Sequence, residues 1–177
     1  MKPIDDLRAT AHPVRLQLLS LVTGASFSAA EAARELGLTQ AAVSYHLRVL
    51  ERVGLVRVVE VVRLRGGEAK RYRHETSSRP FRLDDTKEAR SEPEDVARYV
   101  EAMTDELRRR SSRRVTGPQI STDAELWVDP ETWRRVVTLV GEASALLHSS
   151  AVAPRTPGAT PVAMTAALFP LRPPVRP

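Results

Sequence analysis

A short stretch beginning at Thr39 predicts a helix whose two sides carry different chemistry. One side repeats at i, i+3, i+4 and i+7, as a buried face does; it consists of Val43, His46, Leu47 and Leu50. The opposite side is small, hydroxylated, aromatic and cationic; it consists of Ala41, Ser44, Tyr45 and Arg48. A small residue lets a helix approach a groove closely, hydroxyls hydrogen-bond, and a guanidinium forks onto guanine or phosphate. The pattern therefore predicts a helix that reads the major groove of DNA.

The preceding residues predict the helix that must hold this one in place. We expect it to run from Ser28 to Leu36, because Ser28 and Glu31 have the spacing of a capping box. Gly37 can take the left-handed conformation that ends a helix, and Thr39 can cap the next one. This arrangement is typical of a helix-turn-helix, although a helical hairpin also occurs in all-α cores of other kinds.

A basic β-hairpin is predicted directly after these helices. Residues 55–64 are rich in β-branched side chains and favour a strand, residues 65–68 favour a turn, and residues 69–74 favour a second strand. The cations of this hairpin suit phosphates or a minor groove; they are Arg63, Arg65, Lys70, Arg71 and Arg73. A helix-turn-helix followed by a basic hairpin is a winged helix. The alternative interpretation of the hairpin is a solvated, arginine-rich sheet edge.

Four motifs within residues 4–75 can be compared with known regulators: Ala11–Leu19, Leu36–Gln40, Val43–Leu50 and Gly54–Val56. They resemble the ArsR-type winged-helix transcription regulators, and the resemblance covers about two-fifths of the chain. The spacing Ser44-x-His46-Leu47-x-x-Leu50 is fairly specific to that family. The resemblance implies that five side chains lie at the DNA, namely Gln40, Ser44, Tyr45, His46 and Arg48. Because His46 also belongs to the apolar side of its helix, we expect it at the margin, packing or touching a phosphate.

The complete predicted DNA-binding surface joins the second helix to the hairpin. It consists of Thr39, Gln40, Ala41, Ser44, Tyr45, His46, Arg48, Arg63, Arg65, Lys70 and Arg71. The distribution of charge agrees with this assignment, because residues 34–82 carry 11 lysines and arginines against five glutamates, in a chain of net charge +5. A local basic patch of this kind suits a polyanionic partner.

Other kinds of chemistry find little support in the residues. The chain of 177 residues has no cysteine, so thiolate metal sites and disulfides are excluded. Where metal-sensing relatives carry a cysteine pair, this chain has Ala29, Ala30, Ala32 and Ala33, and its four histidines are scattered. We therefore predict no metal, no cofactor and no catalytic residues, and we expect the protein not to be an enzyme. No signal pattern and no membrane-spanning apolar run is present, so we expect a cytoplasmic protein.

The regions around the predicted winged helix divide the chain into three parts. We predict a winged helix-turn-helix domain at residues 1–75, a connector at residues 76–92, and a dimerisation and C-terminal region at residues 93–177. Within the first part, helices at residues 3–11 and 13–22 are expected to be scaffold. Arg15 could reach a phosphate, but an ion pair with Asp5 or Asp6 is the favoured interpretation.

A long helix is predicted after the connector, with Ser91 as its cap and Glu94 three residues later. It is expected to end at residues 108–110, where cations suit the helix dipole. Its apolar stripe consists of Val96, Tyr99, Val100, Met103 and Leu107. The stripe can bury itself against the same chain or against a second copy. We favour the second copy, because in the family that the chain resembles a helix after the wing commonly forms a homodimer.

A strand, a helix and a strand are predicted after residue 123. The strands are expected at residues 124–128 and 161–170, and the helix at residues 130–148, with Asp129 as cap and Pro130 at its first position. This unit could hold a small-molecule effector, cover the dimer or extend the core. The aromatic and soft side chains that an apolar ligand would meet are Tyr99, Met103, Trp127 and Trp133.

The predicted fold class is mainly α with a β-hairpin wing, followed by a long helix and a small α+β C-terminal unit. The predicted function is a homodimeric, sequence-specific regulator of transcription bound to double-stranded DNA, with repression as the expected mode. The alternative is a winged-helix adaptor whose hairpin meets an acidic protein and whose Tyr45 and Val49 anchor it. RNA is a weaker alternative, because the deep, narrow major groove of A-form RNA excludes such a helix. The operator and the effector stay open.

Overall fold

A computed structural model of the chain describes residues 3–64, 67–74 and 92–172. This part contains six helices and three strands, in the order α1 (Pro3–Thr10), α2 (Pro13–Gly24), β1 (Phe27–Ser28), α3 (Ala29–Leu36), α4 (Gln40–Arg52), β2 (Arg57–Leu64), β3 (Gly67–Arg73), α5 (Pro93–Ser111) and α6 (Pro130–Ser149). The predicted fold class is confirmed as a winged helix-turn-helix followed by a helical C-terminal region. The predicted connector falls almost wholly on residues 75–91, which lie outside the described residues.

The helix-turn-helix forms through the local signals that the sequence carries. The Ser28 hydroxyl accepts the Glu31 backbone N–H at 3.3 Å, and the Glu31 carboxylate accepts the Ser28 backbone N–H at 2.7 Å. Gly37 ends α3 with φ of +67°, a conformation that glycine adopts cheaply. The Thr39 hydroxyl then accepts the Ala42 backbone N–H at 3.3 Å and caps α4. The predicted capping box, turn and cap are all confirmed.

The hydrophobic core lies between α2, α3, α4 and the sheet. It includes Leu18, Val22, Ala32, Val43, Leu47, Leu50, Val56 and Tyr72, all of them buried. The antiparallel sheet has the order β1-β3-β2 and places Tyr72 opposite Phe27 on one side and Val58 on the other. The sequence did not indicate β1 as a strand, because two residues are too few to show an alternating pattern. Its pairing with β3 ties the wing to the start of α3.

Helix α5 packs against α1 and α2 through a face that was not predicted. Its buried residues are Asp95, Ala102 and Glu106. Arg8 Nε donates to the Asp95 carboxylate at 2.5 Å, and Gln17 Nε2 donates to the Glu106 carboxylate at 2.6 Å. Burial would raise the pKa of Glu106, but hydrogen bonds from Arg109 and Gln17 and the charges of Arg109 and Arg110 lower it. Asp95 and Glu106 therefore bind α5 to α1 and α2.

The apolar stripe predicted on α5 lies beside this buried face. Val96, Tyr99 and Met103 are half-buried, whereas Val100 and Leu107 remain about half exposed. The helix also begins differently from the prediction. Glu92 occupies the cap position without a side-chain hydrogen bond and Pro93 is the first helical residue, because proline suits the first turn. The predicted cap, Ser91, lies outside the described residues.

The C-terminal region confirms the predicted helix and contradicts the two predicted strands. The Asp129 carboxylate caps α6 by accepting the backbone N–H groups of Glu131 and Thr132 at 2.9 and 2.8 Å. Residues 124–128 and 161–170 form no strand. They have the alternating side chains of strands, but a strand also needs a partner, and neither pairs with any described residue. Among the described residues, no helix combines the length and the apolarity needed to cross a membrane.

The close approach of the C-terminal region to α2 allows a test by a single methyl group. A Cβ added at Gly24 would lie 2.3 Å from the backbone carbonyl oxygen of Val152. Alanine in place of a helical glycine ordinarily stabilises a protein by about 0.4–1 kcal/mol. We expect Gly24→Ala instead to lower the free energy of unfolding by about 1–3 kcal/mol, as overpacking does. Urea denaturation measures this, with Gly117→Ala as the control because its added methyl meets open space. If Gly24→Ala were more stable than the wild type, Val152 would not lie beside Gly24.

Candidate nucleic-acid interface

The outward side of α4 presents the side chains predicted to read bases. Thr39, Gln40, Ala41, Tyr45 and Arg48 are exposed, and Ser44 is half-buried between them. Arg48 Nε donates to the Ser44 carbonyl oxygen at 3.2 Å, so the guanidinium lies along the helix surface. The opposite side is buried as predicted and consists of Val43, His46, Leu47 and Leu50. The apolar underside fixes how the polar surface of α4 is presented.

His46 lies on the buried side of α4. Its side chain is only 9% exposed, and its ring lies 4.5 Å from that of His12 and 5.2 Å from that of Tyr45, centroid to centroid. Burial, with the nearby charges of His12 and Arg15, lowers its pKa to about 4. We expected His46 at the margin of the DNA-binding surface, packing or touching a phosphate; the structure buries it beneath the outward side of α4, where its contacts are those of packing. His12 has a second role, because its Nδ1 accepts the Val14 backbone N–H at 3.1 Å and caps α2.

Two of the predicted wing cations have accessible charges. The Arg63 side chain is 91% exposed and lies 3.7 Å from Glu68, and the Lys70 ammonium lies 4.0 Å from Glu51. Exposed pairs at such distances are weak and leave the cations available to a phosphate. Arg65, predicted at the tip of the wing, lies outside the described residues. Arg73, also predicted as a wing cation, is exposed at the end of β3.

Arg71 lies in a different environment from the one predicted. Its Nη1 donates to both carboxylate oxygens of Glu31 at 2.7 and 2.8 Å, and its Nη2 donates to the Ser26 carbonyl oxygen at 2.6 Å. Glu60 approaches its Nε at 3.5 Å. Burial would raise the pKa of Glu31, but the Ser28 backbone N–H, Arg71 and the Ser28 hydroxyl lower it. The Arg71 guanidinium is therefore bound to Glu31 at the start of α3. Glu31 is forty residues away in the chain, and the sequence pattern did not indicate this pairing.

A shallow groove beside the outward side of α4 brings together cations that were not in the predicted site. It has a volume of about 300 Å³ and is lined by Arg8, Ala9, Arg15, Tyr45, Val49, Arg52 and Val53. The spacing of Tyr45, Val49 and Arg52 at i, i+4 and i+7 was the available signal for this surface. Arg15, expected to pair with Asp5 or Asp6, donates through Nη2 to the Arg8 carbonyl oxygen at 3.0 Å. The side chains of those two aspartates lie outside the described residues.

Of the four histidines considered for a metal, His12 and His46 lie side by side in the structure. In the described part of the chain, no three histidines, aspartates or glutamates lie close enough to hold a metal ion. Tyr99, Met103, Trp127 and Trp133 line neither the groove beside α4 nor a similar groove on α5 between Val100 and Arg108. Trp127 is 84% exposed.

Comparison with known proteins supports the assignment of α3 and α4. No curated protein matches the chain. Residues 10–59, which run from the end of α1 into β2, match the model of a family described as a helix-turn-helix domain. Together with the exposed polar side of α4, the match supports a DNA-binding regulator of transcription as the general class of this protein.

Proposed function

We propose that the protein is a homodimeric, sequence-specific regulator that inserts α4 into the major groove of its operator. One observation carries the proposal: Gln40, Tyr45 and Arg48 are exposed along a helix whose opposite side is buried. A rigid helix with such a surface can present hydrogen-bonding groups to base edges in a fixed register. The resemblance of residues 4–75 to ArsR-type regulators supports the same assignment.

The wing would supply affinity that does not depend on sequence. Arg63 and Lys70 carry exposed charges on the hairpin, and the sequence adds a further cation, Arg65, between them. Contacts of cations with phosphates release counterions, so the affinity should fall steeply with salt concentration. In the groove beside α4, Arg15 and Arg52 flank Tyr45 and suit a phosphate at the edge of the same major groove.

Two copies would be needed to read two half-sites. Val100 and Leu107 leave part of the apolar stripe of α5 exposed, which supports a contact between copies along this helix. In a two-fold dimer, the two α4 helices would enter successive major grooves about 34 Å apart. We further propose repression as the mode of regulation, because a dimer seated on two grooves excludes other proteins from the same DNA.

The experiment that tests this function is fluorescence anisotropy on duplex DNA from the upstream region of the protein's own gene. Scrambled duplex serves as competitor, at several salt concentrations. We expect Arg48→Ala to lower the free-energy difference between binding to the specific duplex and binding to scrambled DNA by about 1–3 kcal/mol, because a forked contact to a base is lost. Binding to scrambled DNA should change little.

Arg98→Ala is the matched control, because Arg98 is an exposed arginine on α5 that pairs only loosely with Glu94, at 3.5 Å. It should leave the specificity ratio as in the wild type. Equal, weak binding of the wild type to both duplexes at every salt concentration would contradict the proposal. That outcome would favour the adaptor, for which the groove around Tyr45 and Val49 is the available contact surface.

A further inference from the structure

The groove beside α4 contains two arginines whose charges no described carboxylate neutralises. Arg15 and Arg52 form no ion pair with any described residue, whereas Arg8, which also lines the groove, pairs with Asp95. Arg15 is half-buried, and Arg52 is exposed at the end of α4. A cation that is partly removed from water without a counter-ion is unfavourable, so an anion bound beside Arg15 would stabilise it.

The same groove has hydrogen-bond donors without acceptors. Arg15 Nη2 donates to the Arg8 carbonyl oxygen at 3.0 Å, but Arg15 Nε is buried and has no partner among the described residues. A second buried atom without a described partner, His46 Nδ1, lies next to the groove, because the His46 ring is 5.2 Å from the ring of Tyr45. Buried polar groups in proteins are nearly always hydrogen-bonded. Arg15 therefore has donors left for an oxyanion that enters the groove.

The groove also has an apolar floor. Val49 and Val53 follow Tyr45 at i+4 and i+8 and are half-buried, and Ala9 of α1 is buried beside them. A phosphate of a DNA duplex would use the cations but not the valines, because the nucleic-acid backbone is polar. The volume of about 300 Å³ lies at the lower end of the range of small-molecule sites, which is about 300–1,000 Å³. Cations above an apolar floor suit an anion that carries an apolar body.

We propose that the groove beside α4 binds a small organic acid as an effector, with its carboxylate on Arg15 and Arg52 and its aromatic or short aliphatic body on the two valines. Guanidinium groups bind carboxylates through charge-assisted, forked hydrogen bonds. The oxyanion that these arginines bind can come from two sources, a phosphate of the DNA backbone or the free acid. The two cannot occupy the groove together.

The effect of the ligand follows from the position of Tyr45. This residue lines the groove and also belongs to the outward side of α4, which we propose to enter the major groove. A bound acid would neutralise the two arginines and lie against Tyr45, so it would weaken DNA binding. By linkage, DNA would weaken the binding of the acid by the same factor. This regulatory role rests on the proposed function, whereas the binding of the acid does not require DNA.

The first test is a titration of the full chain with benzoate, without DNA and at constant ionic strength, followed through the backbone amide NMR signals. We expect the amides around Tyr45, Val49 and Arg15 to shift, with a dissociation constant on the order of 1 mM for so small a ligand. Benzyl alcohol has the same ring without the charge, and acetate has the charge without the ring. Each should bind at least about tenfold more weakly. If benzoate shifts none of these amides, the proposal is wrong.

Variants locate the ligand independently of the NMR signals. Arg15→Met and Arg52→Met remove the charge and keep an apolar side chain, so each should weaken benzoate binding at least about tenfold. Arg98→Met is the matched control on α5 and should bind benzoate as the wild type does. Circular dichroism establishes that each variant is folded, and the exposed position of Arg52 keeps the test available if Arg15→Met does not fold. Unchanged affinity in the folded variants would overturn the proposal.

The second test separates the free acid from the DNA phosphate. Fluorescence anisotropy measures the affinity for the upstream duplex in benzoate and in acetate at equal concentration and ionic strength. With benzoate at ten times its dissociation constant, competition should lower the affinity for DNA about tenfold, and acetate should not. Equal effects of the two salts, or no effect of bound benzoate, would overturn the effector role. A wild type that binds no duplex specifically would contradict the proposed function, and the titration without DNA would still decide whether the groove binds the acid.

Discussion

Acidification from pH 7 to pH 4 is expected to lower the free energy of unfolding by several kcal/mol. Burial and the charges of His12 and Arg15 lower the pKa of His46 to about 4, and burial and the charge of His148 lower that of His74 to about 4. In the unfolded chain both imidazoles should titrate near the ordinary value of 6.5. Each shift corresponds to a contribution on the order of 3 kcal/mol.

The sign follows from which state binds protons first. Below pH 6.5 the two imidazoles bind protons in the unfolded chain but not in the folded protein. Their contribution to the free energy of unfolding is therefore fully present above pH 6.5 and is lost progressively towards pH 4. The lowered pKa values of Glu31 and Glu106 add a loss of the same sign at more acidic pH. Urea denaturation at a series of pH values measures the slope.

His46→Gln should flatten this dependence, because it removes one of the two titrating imidazoles. His74→Gln should flatten it independently, because His74 lies at a different place. It directly follows β3, and its backbone N–H donates to the Val22 carbonyl oxygen. A wild-type stability that stays constant between pH 7 and pH 5 would show that neither imidazole is protected from protonation.

Replacing Arg71 by alanine is expected to destabilise the protein by about 2–4 kcal/mol and to leave the salt dependence of DNA binding unchanged. The substitution removes charge-assisted hydrogen bonds to Glu31 and to the Ser26 carbonyl oxygen. It also leaves a half-buried carboxylate without its cation, and such losses are large. The contact joins β3 to the first turn of α3, so both the wing and the helix-turn-helix should loosen.

The neighbouring Lys70 provides the matched control. Its ammonium lies 4.0 Å from Glu51 and is largely exposed, so Lys70→Ala should change stability by less than about 1 kcal/mol. If Lys70 contacts a phosphate, the same variant should lower the affinity for all duplexes and reduce the salt slope by about one. Denaturation and anisotropy on both variants separate the two roles. A stable Arg71→Ala variant with a reduced salt slope would instead place Arg71 on DNA.

Much of the helix-turn-helix could be predicted from the sequence because its determinants are local. Ser28 and Glu31, Gly37, and Thr39 act within one turn of the helices that they begin or end. The burial of Val43, His46, Leu47 and Leu50 follows from helical spacing alone. The same holds for α6, which Asp129 and Pro130 start. Short-range hydrogen bonds and periodicity do not depend on where the rest of the chain lies.

The tertiary structure decided the contacts that join residues far apart in the chain. The sequence by itself determined a winged helix with a basic hairpin and a polar outward side of α4. It did not determine that Asp95 and Glu106 would face Arg8 and Gln17, or that Arg71 would bind Glu31, because a polar residue acquires a buried partner only through folding. Likewise, alternating side chains at residues 124–128 and 161–170 are not sufficient for a strand. A strand forms only when another backbone supplies its hydrogen bonds, and one copy of this chain supplies none among the described residues.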